Sequence, residues 1–285
     1  MKNNLIREIK TLVLSKSVWI GMAIMLLLCG IQLKNAIEYT GQDIESIREI
    51  YDLVDDDVDV EELSIQESEY YEVYSNENSF NNSYALIIGI GLIVFPIVLS
   101  IYVGSEYSYG TIRLKAASSS LVSVLVSKIV TSFCFVSVYL LLYGIVMKVW
   151  QNYCTDKYLF GDYERTNVIK YGMFDFLKLY LTALSVVFFA SLCAILFTVI
   201  FKSTIAGIIV TICINYLSIP NKYNIFYIFK SIIVKVFRIY DSSCFSFEVA
   251  ESLQFSSINQ DIIFVILYMI IVLTGIYVFG KLQRN

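Results

Sequence analysis

The chain of 285 residues contains no histidine, no Cys-x-x-Cys pair and few charged side chains, which make up 16% of the total. Without histidine it has no histidine general base, no Ser-His or Cys-His dyad and no histidine zinc motif. The phosphate-binding sequence Gly-x-x-x-x-Gly-Lys-Ser/Thr is also missing, so the chain does not cradle ATP itself. We therefore expect no catalysis and no cofactor in this chain, and any energy from ATP must come through a partner.

What the chain has in abundance is apolar sequence, with 57% hydrophobic residues and a mean hydropathy of +0.68. This balance is typical of membrane proteins. A helix needs roughly 17 to 25 apolar residues to cross a hydrocarbon core, and single spans of that length are helical because their backbone must hydrogen-bond internally. The sequence therefore predicts an all-α integral membrane fold with six spans, at residues 17–33, 85–103, 129–147, 177–201, 204–219 and 262–280.

The orientation of the spans rests on the basic N-terminus and the basic loop at Arg113 and Lys115. With the N-terminus inside, the inner segments hold ten Lys or Arg and the outer segments eleven, so counting basic residues alone does not decide. The acidic residues divide clearly, because only Glu8 and Glu106 fall on the inner side. We predict that both termini are cytoplasmic.

Residues 2–16 predict an interfacial helix before the first span. Its apolar side chains recur at the spacing of one helical face, and its basic residues lie elsewhere on the helix. The apolar members are Leu5, Ile6, Ile9, Leu12 and Val13. An ordinary positively charged flank of the first span is the alternative interpretation.

The outer segment 34–84 carries 15 acidic residues. Ile44, Ile47, Tyr51 and Val54 recur at helical spacing, which predicts that its first half continues as an amphipathic helix. Two interpretations of the charge stay open: an acidic cap that attracts a cationic substrate, or a solvated loop without a more specific role.

The outer segment 220–261 has a second apolar stripe at helical spacing, interrupted by four basic residues. Each charge would cost about 2.5 to 3.5 kcal/mol at the centre of a span. We therefore predict an amphipathic helix at the outer interface or a shallow re-entrant one. The stripe consists of Ile225, Ile228, Phe229, Ile232, Ile233, Val236, Phe237 and Tyr240, and the basic residues are Lys222, Lys230, Lys235 and Arg238.

A short charged island, Gly104-Ser-Glu-Tyr-Ser-Tyr-Gly-Thr-Ile-Arg-Leu-Lys115, lies between the second and third apolar runs. It resembles the first cytoplasmic loop of ABC-2 type transporter permeases, where Glu and an aromatic residue are followed by Gly-Thr-x-Arg. The resemblance implies that residues 104–128 form a coupling loop whose short helix docks on an ATPase subunit. The coupling residues it implies are Glu106, Tyr107, Tyr109, Gly110, Thr111, Arg113 and Lys115. From the residues themselves, we expect Thr111 to cap this helix and the charged side chains to face the partner.

The same resemblance implies the rest of the assembly. Residues 2–16 correspond to the family's elbow helix, and 220–261 to its re-entrant outer helices. Two ATPase subunits would bind ATP and magnesium, and a second permease chain, identical or related, would complete the path in a bacterial membrane. Small permeases of this kind export amphipathic or cationic peptides such as bacteriocins, or protect against them, without a nucleic-acid partner.

Three residues within spans are candidates for the path or its gate. Pro96 removes a backbone donor and is expected to kink the second span. Thr211 and Asn215 lie one turn apart in the fifth, where cross-helix hydrogen bonds are the usual role of such side chains. Cys154 and Cys244 fall in separate outer loops, as unpaired thiols or as a disulfide.

Two other classes of protein remain as alternatives to the transporter. One is a six-span channel that needs no ATPase, although no span carries a series of charges or a carbonyl-rich filter. The other is a membrane scaffold whose acidic outer segment binds a partner protein.

Overall fold

The computed structural model describes residues 2–53, 68, 71, 73–75, 78–160, 173–216, 228–229, 231–232, 235–236 and 257–283. These residues form helices and turns, with no strand among them. The predicted all-α fold is confirmed. The acidic run at residues 55–62 and Cys244 lie outside the described residues.

The main helices follow one another with short turns where both flanks are described. They are α1 (Lys2–Val13), α2 (Lys16–Leu53), α3 (Ser79–Ser108), α4 (Thr111–Ser118), α5 (Leu121–Thr155), α6 (Met173–Phe201), α7 (Thr204–Tyr216) and α8 (Ile258–Leu282). A single π-helical turn, Asp156–Phe160, continues α5.

Five helices, α2, α3, α5, α6 and α8, are long and apolar enough to cross a membrane. The chain is therefore a multi-pass membrane protein. The predicted fifth span, residues 204–219, corresponds to α7, whose 13 described residues would extend only about 20 Å, against a hydrocarbon core of roughly 30 Å. Residues 217–219 lie outside the described residues, so the sixth span stays a prediction.

The helices extend well beyond the apolar runs that predicted them. The run 17–33 lies within α2, which continues without a break to Leu53. Beyond the run, Ile37, Ile44 and Ile47 remain buried along one face of the helix. The predicted amphipathic continuation is confirmed at Ile44 and Ile47. The length of an apolar run indicates only the part of a helix that lipid surrounds. The helix itself can be longer, because its backbone hydrogen bonds also form in water.

Helices α3 and α6 form the centre of the bundle. The most apolar stretches of these two helices are 61% and 72% buried, against 17% to 33% for α2, α5 and α8. Aromatic side chains join the central pair: the rings of Phe80 and Phe176 lie 4.8 Å apart, edge to face, and Phe176 stacks on Tyr180. The three outer helices present most of their apolar side chains outward, as lipid contact requires.

Four segments that the sequence predicts to lie on one side meet at one end of the bundle, here called the α1 end. Asn4 of α1 donates hydrogen bonds to the hydroxyls of Ser119 and Ser123. The Tyr107 hydroxyl donates to Gln283, just after α8, whose amide donates to a carbonyl near the end of α6. The N-terminus, the 104–128 loop, the 202–203 turn and the end of α8 are thus neighbours, and the cytoplasmic identity of this end stays a prediction.

At the opposite end, a buried glutamine joins α5 to the chain that precedes α3. Gln151 donates to the carbonyls of Tyr74 and Ser75 at 3.2 and 3.3 Å, and its own amide oxygen accepts from Asn82. Gln151 is fully buried. Cys154, one turn later, is a buried free thiol, while its possible partner Cys244 lies outside the described residues.

Parts of segment 220–261 also pack into the bundle. Ile228, Phe229 and Ile232 of the predicted apolar stripe are buried, and the Phe229 ring lies 5.3 Å from that of Phe189 in α6. Asp261, in the first turn of α8, accepts from Ser231 at 2.8 Å and pairs with Lys235 at 3.0 Å. The described part of the stripe therefore faces protein, and whether the segment is re-entrant stays a prediction.

Candidate functional site

The turn between α3 and α4 depends on Gly110. Its φ of +67° lies in the left-handed region, which glycine adopts without the steric cost of a side chain. Gly110 occupies the cap position of α4, where no side chain caps the helix. The prediction that Thr111 caps the helix is therefore wrong: Thr111 is its first residue, and its hydroxyl donates back to the Glu106 carbonyl at 3.5 Å.

Behind this turn lies a buried group of four charged side chains, here called the charge cluster: Glu8, Glu106, Lys115 and Lys128. The Lys128 ammonium contacts Glu8 Oε2 and Glu106 Oε1, each at 2.8 Å. Lys115 Nζ lies 2.6 Å from Glu8 Oε1 and also pairs with Glu106 Oε1. Two carboxylates and two ammonium groups thus neutralise one another, and they join α1, α3, α4 and α5 at one point.

The charge cluster is shielded from solvent. Glu8 and Lys128 have no exposed surface, and Glu106 is 5% exposed. The Tyr102 hydroxyl donates to Glu8 Oε2 at 2.8 Å, and Lys128 Nζ lies 4.1 Å from the centre of the Tyr102 ring. Removing one member would leave an uncompensated buried charge, which typically costs about 3 to 5 kcal/mol. The cluster therefore holds the four helices in one arrangement.

The two carboxylates are held differently. Glu8 uses both oxygens, one for each lysine, whereas Glu106 directs Oε1 to both lysines and its Oε2 has no hydrogen-bond partner among the described residues. Burial alone raises the pKa of Glu8, but the charge of Lys128 and hydrogen bonds from Lys115, Lys128 and Tyr102 lower it below its ordinary value of 4.5. Glu8 is therefore the more firmly held anion.

Helix α1 supplies Glu8 from a buried face that combines two polar residues with one apolar residue. Asn4, Glu8 and Leu12 follow the four-residue spacing of one helical face, and all three are buried. The predicted apolar face contributes Ile6 and Ile9, which are exposed. The predicted apolar face is therefore divided, because Leu12 is buried in the protein while Ile6 and Ile9 are exposed. That the helix lies at the membrane interface stays a prediction.

The structure divides the predicted coupling residues into two groups. Tyr109 is 81% exposed, and Arg113 is also exposed, so both are available to a partner. Glu106 and Lys115 instead point into the charge cluster, so the expectation that their charges face a partner does not hold in this structure. Tyr107 belongs to neither group, because it is only partly buried and its hydroxyl donates a hydrogen bond to Gln283. Only part of the motif can therefore make direct contact.

A groove opens beside the exposed group. Its volume is about 460 Å³, and it lies among the ends of α3, α6 and α8 and the start of α4. It is lined by Tyr107, Ser108, Tyr109, Gly110, Ile112, Arg113, Leu121, Lys202 and Gln283. Four of the predicted coupling positions, Tyr107, Tyr109, Gly110 and Arg113, thus line one groove.

Gly104, the first residue of the motif, has a packing role. A methyl group at this position would collide with the Thr204 side chain at the start of α7. The small residue therefore allows α7 to lie close against α3 just before the coupling loop begins.

The candidate path residues lie away from this site. Pro96 is buried inside α3, which remains helical on both sides of it. Thr211 is buried and donates to the Gly207 carbonyl at 2.8 Å, within its own helix rather than across to another as expected. Asn215 belongs to α7, but its side chain lies outside what the structure describes.

Sequence reasoning missed Glu8 and Lys128, although a signal was present. Glu8 and Glu106 are the only acidic residues in the segments predicted to be inner, so each was isolated among basic side chains. An isolated acid in such surroundings is a candidate for ion pairing. The partner cannot be read from sequence, because Glu8 and Lys128 are 120 positions apart.

No family model, curated protein or solved structure matches this chain. The likeness to ABC-2 permeases therefore rests on the motif from Gly104 to Lys115 and on the predicted arrangement of spans.

Proposed function

We propose that the chain is the permease subunit of an ATP-driven ABC-2 type transporter, forming half of a translocation path and coupling to a separate ATPase. The observation that carries the proposal is the construction of α4. The helix presents Arg113 and Leu114 outward, while Lys115 anchors it to the charge cluster. A force applied to α4 would reach α1, α3 and α5 directly.

The proposed mechanism follows from these contacts. ATP-driven closure of two ATPase subunits pushes on α4, and the charge cluster transmits the displacement to α3 at Glu106 and to α5 at Lys128. Because the ions are desolvated, they favour moving as one unit over separating. The helices then rock against a second permease chain and open a path.

The proposed substrate is an amphipathic or cationic peptide, which the subunit exports or protects against. The acidic outer segment supports this part, since Asp43, Glu45 and Glu49 are exposed along α2 and would attract a cation at long range. Its remaining acidic residues from 52 onward fall in or beside sequence whose side chains the structure does not describe.

Affinity purification of the tagged chain from native membranes, followed by mass spectrometry, tests the proposal. We expect an ATPase subunit to co-purify, and Arg113→Glu to remove it. Lys281→Glu, which reverses another exposed charge at the α1 end, is the matched control and should retain the ATPase. Gly110→Pro is less informative, because proline cannot adopt the left-handed φ and would disrupt the turn itself.

The absence of an ATPase from every preparation would overturn the proposal. The channel and the scaffold would then be the remaining candidates. Loss of the ATPase from both charge variants would instead point to a diffuse electrostatic contact rather than to α4.

A further inference from the structure

We propose that the groove at the α1 end is a binding site for the headgroup of an anionic phospholipid, with Lys202 and Arg113 as its cationic contacts. The inference does not depend on the transporter proposal, because a lipid site can be tested on this chain alone. Four observations lead to it.

The first observation is the charge of the groove. Arg113 and Lys202 both line it, and none of its described lining residues is acidic. Among the residues that the structure describes, neither side chain makes a hydrogen bond or ion pair, whereas Lys115 and Lys128 close by are fully engaged in the charge cluster. Two unneutralised cations beside one cavity favour an anionic ligand. The cavity volume of about 460 Å³ falls within the roughly 300–1,000 Å³ typical of small-molecule sites.

The second observation is the backbone of Lys202. Its φ of +53° makes it the only residue other than glycine with a positive φ in the described part of the chain. Glycine or asparagine is the usual residue in this left-handed region, where a longer L side chain is strained. Strain of this kind is a reason to look for a function. Here it fixes where the lysine side chain leaves the two-residue turn between α6 and α7.

The third observation is the rigidity of the groove wall. The Gln283 amide nitrogen donates to the Val199 carbonyl at 2.6 Å, and its oxygen accepts from the Tyr107 hydroxyl at 3.3 Å. Both polar ends of Gln283 are therefore occupied within the protein. A preformed wall lowers the entropy cost of binding a ligand.

The fourth observation separates a lipid from a soluble anion. Phe201, directly before Lys202, is 56% exposed, and Leu282, directly before Gln283, is 61% exposed. Ile205, one turn after Lys202, is 68% exposed. These residues end or begin apolar helices of a membrane protein, so apolar surface adjoins the cationic groove. A lipid with a phosphate headgroup and acyl chains matches both the cationic groove and the apolar surface beside it. A soluble acidic protein segment would match only the cationic groove.

The test measures binding of phosphatidylglycerol to the full-length chain purified in detergent, by native mass spectrometry or lipid titration. Lys202→Asn removes the charge but keeps a residue that tolerates the left-handed backbone, so folding should be preserved. We expect this variant to bind phosphatidylglycerol at least about fivefold more weakly, since a basic residue contributes about 1 kcal/mol at an anionic surface. Lys202→Arg should bind as the unmodified chain does, and phosphatidylcholine should bind weakly to all.

Lys281→Asn is the matched control, because it removes an exposed lysine from the same end outside the groove lining. This variant should lose less than about twofold in affinity for phosphatidylglycerol, because salt screens diffuse electrostatic attraction over about 10 Å. Equal losses in Lys202→Asn and Lys281→Asn would overturn the site and leave only general surface attraction. If inorganic phosphate bound the chain as tightly as phosphatidylglycerol does, the lipid assignment would be overturned. A co-purified acidic protein whose removal abolishes the difference between the variants would overturn it as well.

Discussion

The two ends of the bundle solve the same packing problem with different chemistry. At the α1 end, four charged side chains join four helices, whereas at the opposite end the fully buried Gln151 holds its neighbours with an uncharged amide and Asp261 forms a single ion pair with the partly exposed Lys235. A buried neutral hydrogen bond contributes modestly, and its loss costs about 1 to 3 kcal/mol. Buried ions are held more stringently, because each depends on its partner for compensation. The difference indicates that the α1 end holds its helices in a more firmly fixed relation than the opposite end does.

The strongest test of this contrast uses two lysines of the same helix. Lys128→Met should lower the free energy of unfolding by about 3 to 5 kcal/mol, because the two carboxylates would then keep only Lys115 as a close cation. Arg7 Nε is farther away, at 4.0 Å from Glu8 Oε1. Lys148 lies 4.8 Å from the Phe80 ring in the half of α5 toward the opposite end and is only partly buried. Lys148→Met should cost about 1 kcal/mol or less. Thermal unfolding in one detergent compares them, and equal losses would mean that the cluster is not desolvated.

A second substitution tests the opposite end. Gln151→Leu should cost about 1 to 3 kcal/mol, since the Tyr74 and Ser75 carbonyls lose a shared donor without gaining a charge. Denaturant or thermal unfolding would measure it. A loss larger than that of Lys128→Met would reverse the order of the two ends and contradict the comparison.

Acid should weaken the α1 end. The folded pKa of Glu8 is below its ordinary value of 4.5, so its stabilising contribution is complete above that value and disappears as the pH falls through the lower folded pKa. The melting temperature of the unmodified chain should therefore fall on going from pH 7 to pH 4 and below. In Glu8→Gln the fall should be smaller, from a lower starting point. Parallel curves for the two proteins would show that Glu8 does not titrate in this window.

The smallest effect on stability is expected for a solvent-exposed ion pair. Lys178 and Asp175 pair at 3.3 Å near the start of α6, and both side chains are well exposed. Many such pairs contribute nothing measurable. Lys178→Gln should leave the melting temperature unchanged within error, and a shift comparable to that of Gln151→Leu would show that exposure is a poor guide in this protein.

The sequence predicted the fold well where one physical effect dominates. Apolar length located five helices that can span a membrane, because lipid contact demands it. Helical spacing placed Ile44 and Ile47 on a buried face. The charge cluster could not be predicted in the same way, since its members come from four helices. Glu106 and Lys115 were expected to face a partner subunit, and only tertiary packing shows that they compensate Lys128 and Glu8.

The unbroken course of α2 sets the distance between the first apolar run and Glu49. Glu49 follows the end of the apolar run at residue 33 by 16 residues, or about 24 Å of helix. That distance is roughly three Debye lengths at physiological ionic strength. The headgroup layer occupies about 6 Å of that distance. The Glu49 carboxylate is therefore about two Debye lengths from the lipid headgroups, and its field acts mainly on solutes that approach from the aqueous phase.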